Sequence, residues 1–338
     1  MSVLDAFGPG GDPGEALVLA DQALEGGDDR LAAAALDRAW GLAPHDSRVE
    51  AQRREVLDRL EVREHGLVWR YVPTGTYLMG SEHGDPDERP VHPVRVEGFW
   101  MMDAPMTWDD DSRLRGWVDG SPEPEPEGWN GFQHMNFDKL RNHYSLRGRP
   151  MVAVGWQDAE SLARDLSGGS VWYGLPTEAE WEKAARGGRI GSRYPWGDGT
   201  PDPGDIDCDR FGSFEIADPT SLRPNGYGLH GMCGTVWEWT ADWYDALAYR
   251  GLPDPRFAGS ARGGPDSPDL EVLRAIRGGS WADSLAACTV SFRASMGSTP
   301  MGVEDWGDHM TPTVGYRLAR YDRMPAHVRA TLVPVTRR

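Results

Sequence analysis

Leu175-Pro-Thr-Glu-Ala-Glu-Trp-Glu-Lys-Ala-Ala-Arg-Gly-Gly188 is the most legible stretch of the chain. Thr177 followed three residues later by Glu180 is a capping box, which predicts a helix running to Arg186, and Gly187-Gly188 supplies the residues that end one. Upstream, Ala159, Leu162, Ala163 and Leu166 fall on one face of a second predicted helix over residues 158–166. Around these two helices the periodicity is that of short strands, at residues 67–72, 76–79 and 91–96, punctuated by Gly, Pro and Asp. Trp237, Trp239 and Trp243 alternate with Glu238 and Asp242, as core rings and turn polars do.

Residues 14–60 have a different texture, rich in Ala, Leu and paired charges. Leu17, Ala20, Ala23 and Leu24 precede Gly26-Gly27; Leu31, Ala35, Leu36, Ala39 and Leu42 precede Pro44; Val49, Val56, Leu57 and Leu60 follow Ser47, with Glu50 as a capping-box partner. Three short amphipathic helices are expected, and the second is similar to a tetratricopeptide unit. The expected division is a helical segment over 1–62, a main domain over 66–320 and a tail over 321–338. Residues 120–128, Gly-Ser-Pro-Glu-Pro-Glu-Pro-Glu-Gly, read as an exposed acidic excursion. Asp109-Asp110-Asp111 reads as a solvated turn or helix start.

The balance of charge narrows the partners. Across 338 residues, 35 Lys+Arg face 53 Asp+Glu, a formal charge of −18. Such a chain lacks the basic surface that displaces counterions from nucleic-acid phosphates, and it is repelled by anionic membranes. The 42 Gly and 26 Pro, about a fifth of the chain, point to ordered loop, and 15 Trp demand a packed interior. Neither a leader peptide nor a membrane span is expected, and the three widely spaced cysteines, Cys208, Cys233 and Cys288, suggest a reduced, cytoplasmic protein. Cys233 and Cys288 read as packed thiols. Cys208 sits among Asp205, Asp207 and Asp209, an acidic setting expected to raise its pKa.

Five blocks in register carry a resemblance. Residues 175–188 with Tyr194-Pro-Trp-Gly-Asp, the run from Pro224-Asn-Gly-Tyr-Gly-Leu-His-Gly-Met-Cys-Gly to Trp243-Tyr, Arg277-Gly-Gly-Ser-Trp, Gly315-Tyr-Arg, and Val72-Pro-Thr-Gly-Thr-Tyr-Leu-Met-Gly-Ser with Pro90-Val-His-Pro-Val resemble the sulfatase-modifying-factor family. That family includes formylglycine-generating enzymes and ergothioneine-pathway sulfoxide synthases. The resemblance spans residues 66–320 and implies an α+β, loop-rich, C-type-lectin-like formylglycine-generating-enzyme fold, here preceded by a short all-α segment.

The resemblance also implies where chemistry would lie. Formylglycine-generating enzymes resemble one another in two cysteines, five residues apart, that hold copper(I). The matching positions are Asp283 and Cys288, a hard carboxylate with one thiol, so the copper-dependent reaction is not expected. Cys288, Asp283 and Ser280 are the candidate catalytic residues of an alternative reading, a divergent metal- and dioxygen-dependent oxidase or oxygenase using copper or iron on a thiol or peptidyl cysteine. Nine histidines include no H-x-x-x-H-x-E spacing of the kind the sulfoxide synthases use for iron. Structural calcium, frequent in the family, would take Glu238 with the carbonyls of Gly234 and Val236, although Gly231 and Thr235 stand where further side-chain ligands are usual. The favoured reading is a protein- or peptide-recognition module in a multi-component assembly. Its groove would be lined by Trp281, Arg293, Trp306, His309 and Arg317, although Arg293 and Arg317 read first as ties from strands and loops to carboxylates within the domain, with a substrate carboxylate as the alternative.

Overall fold

A computed structural model describes residues 12–44, 46–116, 148–152, 154–210, 216–251, 273–297 and 313–332. The acidic excursion at 120–128, and with it Trp306 and His309, lies outside the described residues.

Helices α1 (Pro13–Glu25), α2 (Asp29–Leu42) and α3 (Ser47–Arg59) come first. Each starts at an aspartate: Asp12 accepts from the Gly14 amide, Asp28 from Leu31, and Asp46 from Arg48 and Val49. The third cap is therefore Asp46, one residue before the expected Ser47; either side chain can cap, and the carboxylate is the stronger acceptor for the helix dipole. Small residues line the contacts, with Ala16, Ala20, Ala23, Ala32, Ala33, Ala35 and Ala39 all buried, so the first two helices pack closely.

Arg53 ties these helices to the rest of the chain. Its guanidinium, almost wholly buried, donates to Asp37 on α2 at 2.7 and 3.0 Å and to the carbonyls of Gly187 (3.0 Å) and Gly226 (2.7 Å). It lies between the rings of Trp40 and Tyr227, 4.8 Å from each centroid, and the Tyr227 hydroxyl donates to the second oxygen of Asp37 at 2.8 Å.

Among the described residues the main body holds three sheets. Strands β1 (Val62–Glu64), β2 (Leu67–Val72), β5 (Phe99–Met102), β11 (Ala319–Tyr321) and β6 (Trp172–Gly174) form an antiparallel five-stranded sheet in that order. The last of the described strands, β11, thus sits between β5 and β6. Strands β10 (Val314–Gly315), β7 (Trp237–Trp243), β8 (Leu273–Arg277) and β9 (Arg293–Gly297) form the second sheet, with β10 parallel to β7. Strands β3 (Gly75–Met79) and β4 (His92–Val96) pair as a separate ribbon.

Among the described residues four further helices accompany the sheets: α4 (Trp108–Arg115), α5 (Trp156–Leu166), α6 (Glu178–Arg186) and α7 (Ala326–Leu332). In α6 the capping box forms as the sequence requires, Thr177 accepting from the Glu180 amide at 3.2 Å while Glu180 accepts from the Thr177 amide at 2.8 Å. Gly187 then takes the left-handed conformation, φ 57°. Two expectations change. Asp111 in the first turn of α4 is buried and takes the Tyr316 hydroxyl and Arg115 as partners, so that part of the triple aspartate is not solvated. The stretch expected as a tail carries α7, whose buried Val328 packs against Gly174; a Cβ there would come 2.6 Å from Val328 Cγ2.

The core is aromatic. Trp69, Trp181, Trp239, Trp281 and Tyr316 are fully enclosed, and two of these indoles hydrogen-bond within the core: Trp239 donates to the Val154 carbonyl and Trp181 to Glu238. Among the described residues no helix is long and apolar enough to cross a membrane.

Candidate functional site

The site grows from the turn after β8. Gly278 and Gly279 both have positive φ, 103° and 72°, and a Cβ on Gly279 would lie 2.5 Å from Cys288 Sγ. Glycine there is what lets the chain fold back over the thiol. Ser280 and Asp283 close the turn: the Ser280 amide donates to Asp283 Oδ2 at 3.0 Å, the Ser280 hydroxyl donates to the same oxygen, and the Asp283 amide donates to the Ser280 carbonyl at 3.1 Å. The Trp237 indole, reaching across from β7, adds a third donor to Oδ2 at 2.8 Å. Cys288 is completely buried, its Sγ 3.8 Å from the Ser280 carbonyl. The structure therefore brings the three catalytic candidates Ser280, Asp283 and Cys288 together.

It also brings in Cys208, a residue that no spacing along the chain places there. The loop carrying Cys208 lies along the same turn, because the Asp209 amide donates to the Asp283 carbonyl and the Arg210 amide to the Trp281 carbonyl, each at 2.8 Å. On the other side the Thr235 amide donates to the Asp207 carbonyl at 2.8 Å. Gly234 permits this approach, since a Cβ there would come 2.5 Å from the Asp207 oxygen. As a result the Cys208 and Cys288 thiols are neighbours. The Cys208 thiol, with burial, pushes Cys288 well above the usual thiol range. Cys288 in turn lowers Cys208, outweighing burial and the neighbouring Asp207 and Asp209, so the acidic setting does not decide the direction at Cys208.

Copper(I) does not fit the pair of positions that the resemblance singled out. One is a carboxylate whose Oδ2 already accepts three hydrogen bonds, and hard oxygen is a poor donor to a soft cation. The three binding candidates that fall within the described residues are not groove residues either. Trp281 is 2% exposed and packs with Val152, Ile216 and Val236. Arg293, 4% exposed, donates to both oxygens of Glu178, at 3.0 and 2.8 Å, and its guanidinium lies 4.4 Å from the Tyr249 ring centroid. Burial would push Glu178 up, but Arg293 and Arg277 outweigh it and hold the carboxyl below its ordinary range. Arg317 is sealed in the core on Glu238. All three hold the fold together, and none reaches a ligand from these positions.

Glu238 consequently has a different role from the calcium ligand expected. Arg317 and the Trp181 indole occupy both of its oxygens, so a divalent cation would meet a guanidinium already in place. Gly234, with φ 74°, and the buried Val236 serve the close approach of the Cys208 loop and the packing around Trp281. Among the described residues no three His, Cys, Asp or Glu side chains converge as a metal centre would require.

The sequence over residues 55–321 matches the Sulfatase-modifying factor enzyme 1-like domain. The Formylglycine-generating enzyme of Streptomyces coelicolor is 30% identical over 301 residues, covering 73% of this chain and 87% of that protein. The Inactive C-alpha-formylglycine-generating enzyme 2 of Bos taurus is 28% identical, covering 73% of this chain and 86% of that protein. Among solved structures, PvdO from Pseudomonas aeruginosa superposes with a TM-score of 0.57 at 21% identity, over 77% of this chain and 97% of that one. The chain belongs to the sulfatase-modifying-factor family and has its formylglycine-generating-enzyme-like fold, with the described helices α1 to α3 ahead of the β-structure.

Proposed function

We propose that this chain is a formylglycine-generating-enzyme-like domain that has lost the copper-dependent reaction and serves as a recognition module for a protein or peptide within a larger assembly. The observation that carries the reading is Asp283. It stands where the family's first copper thiolate would be, and its carboxylate is spent on Ser280 and Trp237. A family scaffold without its soft-metal pair keeps its packed core and its loops, which is what a binding surface needs. A relative of similar coverage that is itself called inactive supports the same reading.

The test sets the purified chain beside the Streptomyces coelicolor enzyme. Both are given copper(I), dioxygen and a panel of cysteine-containing peptides, with aldehyde captured by a hydrazide probe and dioxygen uptake recorded. The expected result is no aldehyde from this chain, and selection of a defined peptide motif from a displayed library with affinity on the order of micromolar. Aldehyde formation with matching dioxygen uptake would overturn the proposal in favour of the metal-dependent oxidase.

A further inference from the structure

We propose that Cys208 and Cys288 form a redox-active dithiol that closes to an intramolecular disulfide when the protein meets a hydroperoxide. The inference is independent of the recognition role and rests on the placement of two loops. The thiols are neighbours although 80 positions separate them in the chain, because the Asp209 and Arg210 amides donate to the Asp283 and Trp281 carbonyls and the Thr235 amide donates to the Asp207 carbonyl, pinning the first loop over the second. Those bonds fall on either side of Cys208, and Asp209 turns the chain immediately after it with φ 58°.

The two sulfurs differ in access. Cys208 is half-buried, whereas Cys288 is fully enclosed beneath the Gly278-Gly279 turn. An oxidant therefore meets Cys208 first, and Cys288 is the resolving group within reach. In the first step the Cys208 sulfur attacks the peroxide O–O bond, forming the S–O bond of a sulfenic acid and releasing water from hydrogen peroxide. In the second, the Cys288 sulfur displaces that hydroxyl as a second water, its own proton leaving with it, and the S–S bond forms. Two thiols and one hydrogen peroxide give one disulfide and two waters. A small dithiol reverses the change by exchange. Cys233, buried at 1% exposure near the same sulfurs, has no access of its own and stays reduced.

The experiment uses the full chain, reduced and desalted without oxygen, then given one equivalent of hydrogen peroxide. Remaining thiols are blocked with a maleimide under denaturing conditions, and the digest is mapped by mass spectrometry. The expected product is a linked peptide pair containing Cys208 and Cys288, with Cys233 carrying maleimide, and its loss on treatment with dithiothreitol. Cys208→Ser, a change at a half-exposed loop position, is expected to slow oxidation of Cys288 by roughly ten-fold or more, since susceptibility follows exposure. Wild-type mapping decides the matter even if that variant folds poorly. Maleimide on all three cysteines, a Cys233–Cys288 link, or over-oxidation of Cys208 without a link would each overturn the proposal.

Discussion

Arg317 lies flat against Glu238, its Nη2 2.8 Å from Oε1 and its Nε 2.8 Å from Oε2, with both side chains at 1% exposure or less. The same guanidinium donates to the carbonyls of Met102 (3.1 Å) and His230 (2.9 Å), so one cation joins β7, β5 and the 224–233 loop. Removing it leaves a buried carboxylate with only the Trp181 indole. Arg317→Met is expected to cost about 3–5 kcal/mol in urea unfolding, with Glu238→Gln in the same chain recovering part of the loss. An Arg317→Met protein as stable as wild type would show that the pair contributes nothing net.

Arg53 does the equivalent work for the N-terminal helices. It meets a carboxylate, two carbonyls and two aromatic faces at once, a set that a lysine ammonium cannot reproduce. Arg53→Lys is therefore expected to loosen helices α1 to α3 from the body. Hydrogen exchange over residues 13–59 should accelerate by about ten-fold or more while β7 and β8 remain protected. Uniform acceleration across the chain would instead mean that the helices and the body unfold as one unit.

What could be read ahead of the structure was local. The Thr177 and Glu180 capping box, Gly187 after the helix and the strands expected at 67–72 and 91–96 depend on neighbours within a few residues, and they are found at those places, the second strand starting at His92. The site was only half legible. Ser280, Asp283 and Cys288 could be grouped because one turn contains them, but Cys208 joins them through a loop packing that no spacing encodes. Long-range pairing settles what was left open. Arg293 and Arg317 could tie strands and loops to carboxylates within the domain or reach a ligand, and they do the former, with their carboxylates 115 residues away at Glu178 and 79 away at Glu238. Trp281 looks like a groove ring, yet the turn closed by Asp283 tucks it under.

Asp283 offers a test of what the family chemistry lacks here. In a Cys208→Ser background, so that the neighbouring thiol does not contribute, Asp283→Cys places a second sulfur five residues before Cys288. Copper(I) affinity, measured by competition with a chromophoric chelator, is expected to rise by about 100-fold or more over the background protein. The same change removes the acceptor for the Trp237 indole and the Ser280 amide, at a cost of about 1–3 kcal/mol in stability. Unchanged copper affinity would mean that the turn cannot present two sulfurs to one ion.

Asp242 governs a pH dependence whose sign can be worked out. Its carboxylate accepts the Glu178 amide at 2.5 Å, and burial, followed by the nearby Glu178 charge, pushes its pKa from an ordinary 3.8 up to about 8. Between those two values the folded protein holds a proton that the unfolded chain has released. Its contribution to stability is fully present below about pH 4, and it is lost progressively as the pH rises through about 8. Asp242→Asn keeps an oxygen acceptor for the Glu178 amide and has nothing to titrate. Comparing urea midpoints of the two proteins from pH 5 to pH 9 isolates the group from the remaining carboxylates. The wild type is expected to lose ground steadily to Asp242→Asn over that range, and parallel midpoints would show that Asp242 titrates alike in the folded and unfolded chains.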